Sequence, residues 1–131
     1  MATKAKFQTK GFDKYFEALA AADRDIDAAA DKALMAAGQV LLGGMKERVP
    51  KDTHNLESHL AIEGPIVDGN FHYIEVGIEK GADAETARYA NAQEYGSTSM
   101  AAQPYIRPTL DKDKKKARAA VRKSLKEDGK I

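Results

Sequence analysis

The feature that most constrains this chain is a set of apolar residues recurring every three or four positions from Phe12 to Met45. Phe12, Phe16, Leu19, Ala22, Ile26, Ala30, Ala33, Ala37, Val40 or Leu41, and Met45 share one helical face. Strands repeat every second residue, so this spacing demands helix. The stripe is rich in alanine, which favours helix and lets a neighbouring element come close. Asp23-Arg24-Asp25 can restart a helix, so the run reads either as one rod or as a short helix at 12–22 followed by a longer one at 24–47. Gly43-Gly44 weakens the last turn, and Val49-Pro50 ends it, because a residue before proline resists helical geometry. Residues 12–48 are therefore expected to be helical. Residues 1–11, polar and without a period over the first ten, read as an N-terminal arm.

After a turn at 51–55 the period changes to two. Leu60, Ile62 and Ile66 alternate with Ala61, Glu63 and Val67, and beyond Asp68-Gly69-Asn70 the residues His72, Ile74, Val76 and Ile78 alternate with Phe71, Tyr73, Glu75 and Glu79. This is a β-hairpin within 57–79, since Asp-Gly between alternating runs is a strong turn signal. Pro65 has no amide proton to donate, so its strand is expected at an edge or bulged there. Residues 80–87 and 97–102 read as loops, and 88–95 fits a short helix and a third strand equally, with Gly96 past its end. Gln103–Arg107 is expected to be extended ahead of a final helix at 108–127 that begins at Pro108. Leu110, Ala117, Val121 and Leu125 give that helix a narrow apolar stripe. The 131 residues make one domain, with no repeat.

Composition and motifs remove several function classes. Hydrophobic residues make up 43% of the chain and charged residues 31%, which is foldable rather than disordered. There is no cysteine, hence no disulfide framework or Cys-ligated zinc. No apolar stretch approaches the length needed to cross a bilayer, and the N-terminus lacks a signal-peptide core, so no membrane partner and a cytoplasmic site of synthesis are expected. No phosphate loop, nucleophile elbow or His-Glu-x-x-His pattern is present. His54 and His59 are five apart and align on no single face, while His72 reads as a sheet-surface position. Glu75, Glu79 and Glu94 read as solvated carboxylates with no nucleophile to pair with. No catalytic, cofactor-binding or metal-binding residue is assigned, and the chain is not read as an enzyme.

The charge is unevenly placed. Residues 111–131 carry nine basic and four acidic side chains, a balance of +5, against −4 for residues 1–110. Lys112, Lys114, Lys115, Lys116, Arg118, Arg122 and Lys123 on the final helix have three readings: a solvated face, a docking surface for an acidic protein, or contact with DNA phosphates. Aromatic residues are scarce there, which argues against base stacking. From the residues alone, this is a small α+β interaction protein with an open sheet edge. A DNA-associated protein without sequence preference is the alternative.

Three segments, in order, carry a resemblance. They are Val49-Pro50-Lys51-Asp52-Thr53-His54-Asn55-Leu56-Glu57-Ser58, Tyr89-Ala90-Asn91-Ala92-Gln93-Glu94-Tyr95-Gly96-Ser97, and Gln103-Pro104-Tyr105-Ile106-Arg107-Pro108. Between an alanine-rich helix and a charged one, they resemble the tail-completion (head–tail joining, neck) proteins of tailed bacteriophages. The likeness rests on Pro50, Asp52, Thr53, Leu56 and Ser58, then Tyr89, Ala90, Glu94, Tyr95 and Gly96, then Gln103, Pro104, Arg107 and Pro108. His54 stands where the family usually has Gly, Ser97 where it has Thr, Tyr105 where it has Phe, and Thr109 where it has Ala. The resemblance implies an α+β fold, with a small curved antiparallel sheet on which a long N-terminal helix and a C-terminal helix pack. It also implies a structural virion protein that forms a ring in the neck, at the head–tail junction. Its partners would be further copies of itself, six by preference and twelve as the other count, the head connector, and the tail tube or tail terminator. Genomic DNA would pass through the ring. Within the third segment, Arg107 is expected to bridge to Glu94.

Overall fold

The computed structural model describes residues 4–50, 55–69 and 71–129. The elements in chain order are β1 (Lys4–Gln8), α1 (Asp13–Ala21), α2 (Ile26–Arg48), α3 (Asn55–Ser58), β2 (Leu60–Asp68), β3 (Phe71–Ile78), α4 (Ala84–Tyr95) and α5 (Ile106–Gly129). The long apolar run is two helices, not one rod. Asp23 takes φ +57° and the Arg24 N–H reaches back to Leu19 O at 2.9 Å, which closes α1 with a left-handed turn. Asp25 then caps α2, its carboxylate accepting from Ala28 N at 3.0 Å.

The sheet has the order β1-β3-β2, antiparallel throughout, so the return strand of the hairpin is the central one. Residues 4–8 correct the reading of a free arm. They pair with β3 from Lys4↔Gly77 to Gln8↔Tyr73, and Ala5 and Phe7 point into the core. Two apolar side chains on one face of a strand are enough to dock it once a partner strand exists. Residues 57 and 58, placed in the hairpin by the sequence, finish the short helix α3 instead. β2 is an edge strand, and its register shifts between Glu63 and Ile66, at Gly64-Pro65, as the proline requires.

α2 lies at the centre, with α5 packed along one side and the sheet against the other. Its stripe of Ala29, Ala33, Leu34, Ala37, Leu41 and Met45 is buried. A β-carbon on Gly38 would sit 2.9 Å from the Cδ1 atoms of both Ile62 and Ile74, so the small residue sets how near the sheet comes. α5 contributes Ile106, Ala117, Val121 and Leu125, together with buried Thr109, Asp113 and Ser124, so its inner face is broader and more polar than the stripe expected. Asp113 meets Arg48 of α2, Oδ2 to Nη1, at 2.8 Å, and the same Nη1 donates to Thr109 Oγ1 at 3.1 Å. The architecture is α+β, as expected.

Candidate functional site

The second and third sequence motifs meet in one polar clasp. Residues 84–95 form a single helix, which resolves the helix-or-strand ambiguity and corrects the loop reading of 84–87. Asp83 starts α4, accepting from Thr86 N at 3.2 Å and from Thr86 Oγ1 at 2.6 Å; those bonds hold its carboxyl below the usual range. Gly96, at φ +81°, ends it, and a β-carbon there would lie 3.1 Å from Ala102 N. The next residues fold back through a Ser97–Met100 bridge, and Gln103 N donates to Gln93 O at 2.7 Å. This brings the chain to the start of α5 directly over Glu94. These bonds tie the loop at 97–102 back to the end of α4.

Glu94 is 1% exposed, not the solvated carboxylate expected from sequence. Its Oε1 accepts from Tyr105 N at 2.9 Å and Ile106 N at 2.8 Å. Its Oε2 accepts from Arg107 N at 3.1 Å and Arg107 Nε at 2.8 Å, which is the expected bridge. Arg107 also donates to Glu94 O and lies over the Tyr95 ring, 4.8 Å from its centroid. α5 therefore starts at Ile106, two residues before Pro108, and the expected extended segment at 103–107 shortens to Gln103–Tyr105. The first N–H groups of a helix lack intrahelical acceptors, and Glu94 supplies them from another element.

The first motif joins the same region. Leu56 is buried, Ser58 Oγ donates to Asn55 O at 2.8 Å, and Asn55 Nδ2 donates to Thr86 Oγ1 at 3.2 Å. Pro50 follows Val49 at the end of α2, while Asp52, Thr53 and His54 lie outside the described residues. Ala90 is buried, whereas Tyr89 (38% exposed) and Tyr95 (50%) stand outward on α4. Gln103 is exposed and acts here through its backbone. Tyr105 stands where the family usually has Phe. It is fully buried, burial and the nearby Glu94 and Tyr95 charges push its phenol up, and its hydroxyl has no hydrogen-bond partner among the described residues. Tyr105→Phe is expected to be neutral or to raise stability by up to about 1 kcal/mol, because the orphaned hydroxyl is removed. Urea unfolding checks this, and a lowered midpoint would contradict it.

His59 Nδ1 lies 2.8 Å from Glu79 Oε1, and His72 Nδ1 lies 2.7 Å from Asp31 Oδ1. Among the described residues no group of three or more acidic or histidine side chains converges as a metal site would require. An open cleft between α1 and α2, lined by Asp13, Phe16, Glu17, Ile26, Asp27 and His72, presents acidic groups around an apolar floor. On α5, Lys112, Lys114, Lys115, Lys116 and Lys123 are exposed, with Arg118 and Arg122 half-buried.

Residues 10–96 match a family model described as "Bacteriophage HK97-gp10, putative tail-component". That span runs from the turn before α1 to the glycine that closes α4, about two thirds of the chain. The chain belongs to the HK97-gp10-like family of bacteriophage tail components. Comparison with curated proteins and with solved structures gave no match. In this tail component, Glu94 lies inside the matched span, whereas its partners Tyr105, Ile106 and Arg107 lie beyond it. No helix among the described residues is long and apolar enough to cross a membrane.

Proposed function

We propose that this tail component is a subunit of a ring in the virion neck, between the head connector and the tail tube or tail terminator. It acts by assembly, without catalysis. The observation that carries the reading is where the exposed apolar side chains lie. Val67 is 68% exposed beside the turn of the hairpin, where it pairs with His72, and Tyr89 and Tyr95 project from α4, which the Glu94 clasp holds rigid. Exposed tyrosines on α4 and an exposed valine on the edge strand β2 suit a contact between copies, which needs about 800 Å² per partner. A contact between unlike faces closes into a ring when its rotation divides a full turn. Six copies fit a six-fold tail; twelve would fit the connector instead.

The test is a reconstruction of the assembled particle. The expected result is a closed ring of this chain at the head–tail junction, with β2 and α4 at subunit boundaries. Density for it in the capsid shell or at the tail tip would end the proposal. As a second check, Tyr89→Ser with Val67→Ser should leave folding intact and lower incorporation into particles.

A further inference from the structure

We propose that the groove between β1 and α5 is a binding site for the phosphate backbone of duplex DNA. The groove, about 310 Å³ and open to solvent, is lined by Lys6, Phe7, Gln8, Lys10, Lys114 and Arg118. Four of these six residues are cationic, none is acidic, and they come from two segments more than 100 positions apart. Strand pairing brings Lys6 and Lys10 beside α5, a juxtaposition absent from a free N-terminal arm. Two of the cations are oriented by aromatic rings. The Lys6 ammonium lies 4.2 Å from the Tyr73 ring centroid, and the Arg118 guanidinium 4.6 Å from that of Phe12. Gly11 leaves the space Arg118 occupies, since a β-carbon there would lie 3.1 Å from Nη2. Among the described residues no carboxylate lies within ion-pair distance of Lys10, Lys114 or Arg118, and Lys6 reaches only Asp68, at 3.9 Å.

The surroundings favour phosphate over an acidic protein. Protein interfaces need an apolar centre, and none of the large exposed apolar residues, Ile26, Val67, Tyr89 and Tyr95, lines this groove. Nucleic-acid interfaces are polar and strongly positive. With Phe7 and Phe12 buried, the groove offers no ring for a base to stack on, so it suits a duplex rather than a single strand. The site extends the neck-ring reading by naming the face that meets DNA. Binding to free duplex needs no ring, so the two proposals can fail separately.

The experiment measures fluorescence anisotropy of a short labelled duplex against the purified chain over a salt series. The expected result is sequence-independent binding that weakens with salt. K10Q/K114Q should bind at least about tenfold more weakly at 0.1 M salt, with the slope of log K against log salt smaller by about 2, near one for each lost phosphate contact. Both side chains are exposed, so the variant keeps its core. K46Q/K80Q removes the same charge elsewhere and should bind like the parent chain. Equal loss in both variants, absence of duplex binding at low salt, or K10Q/K114Q lowering self-association while duplex binding holds would each overturn the site.

Discussion

Glu94→Ala is expected to destabilise the protein by about 3–5 kcal/mol, the range for breaking a buried charged network. Its carboxylate is the acceptor for three backbone N–H groups at the head of α5, and each buried donor left without one costs roughly 1–3 kcal/mol. Arg107→Ala should cost less, about 1 kcal/mol, because that side chain is half exposed and water can replace part of what it loses. The double variant should lose less than the sum, since both changes remove the same bond. Chemical denaturation of the four proteins measures the coupling, and strictly additive losses would show that the pair is not a unit.

The same group sets an acid limb. Burial works to raise the Glu94 carboxyl, but the Ile106 N–H, the Arg107 side chain, and the Tyr105 and Arg107 N–H groups outweigh it and hold it below the ordinary value. A carboxyl lowered in the folded state adds stability that is fully present above its unfolded value of about 4.3 and is lost as pH falls through the folded value. Stability of the parent chain should therefore decline below about pH 4, and Glu94→Gln should flatten part of that decline. Identical pH profiles for the two proteins would remove Glu94 from the explanation.

The adjacent glycines of α2 should respond in opposite directions to alanine. At Gly44 a β-carbon would lie 2.1 Å from Asp113 Oδ2 and 2.9 Å from Arg48 Nη1, so it collides with the bridge that joins α2 to α5. Gly44→Ala is expected to cost about 3 kcal/mol through overpacking and displacement of that bridge. At Gly43 nothing lies within 4 Å, and Gly43→Ala should gain up to about 1 kcal/mol from helix propensity alone. In thermal melts this is a drop of roughly 12 °C against a rise of roughly 4 °C. Equal shifts for both would mean that propensity, not the close crossing, governs this turn.

Helices and the hairpin were legible because their signals are local. The 3.6-residue period of Phe12–Met45, the Asp-Gly turn and the Pro65 edge position each follow from the conformations a few neighbouring residues permit. β1 had a signal as well, since Ala5 and Phe7 alternate with Lys4, Lys6 and Gln8, but a five-residue strand means nothing until β3 exists to pair with it. The start of α4 was legible in principle too, because Asp83 three residues before Thr86 is a capping pattern.

By itself the sequence determined the family, the helix–hairpin–helix order, the helix end at Val49-Pro50, the segregation of positive charge onto the last helix, and even the Glu94–Arg107 pair. Tertiary structure alone decided where those groups act. Glu94 reads as a surface acid until the turn at Gly96 carries Tyr105–Arg107 back over it. Gly44 reads as a weak helical turn until α5 crosses against it. Lys6 and Lys10 read as a loose polar arm until pairing with β3 sets them beside Lys114 and Arg118. In each case the deciding partner is distant along the chain, and what a polar or small residue does depends on which group packing brings to it.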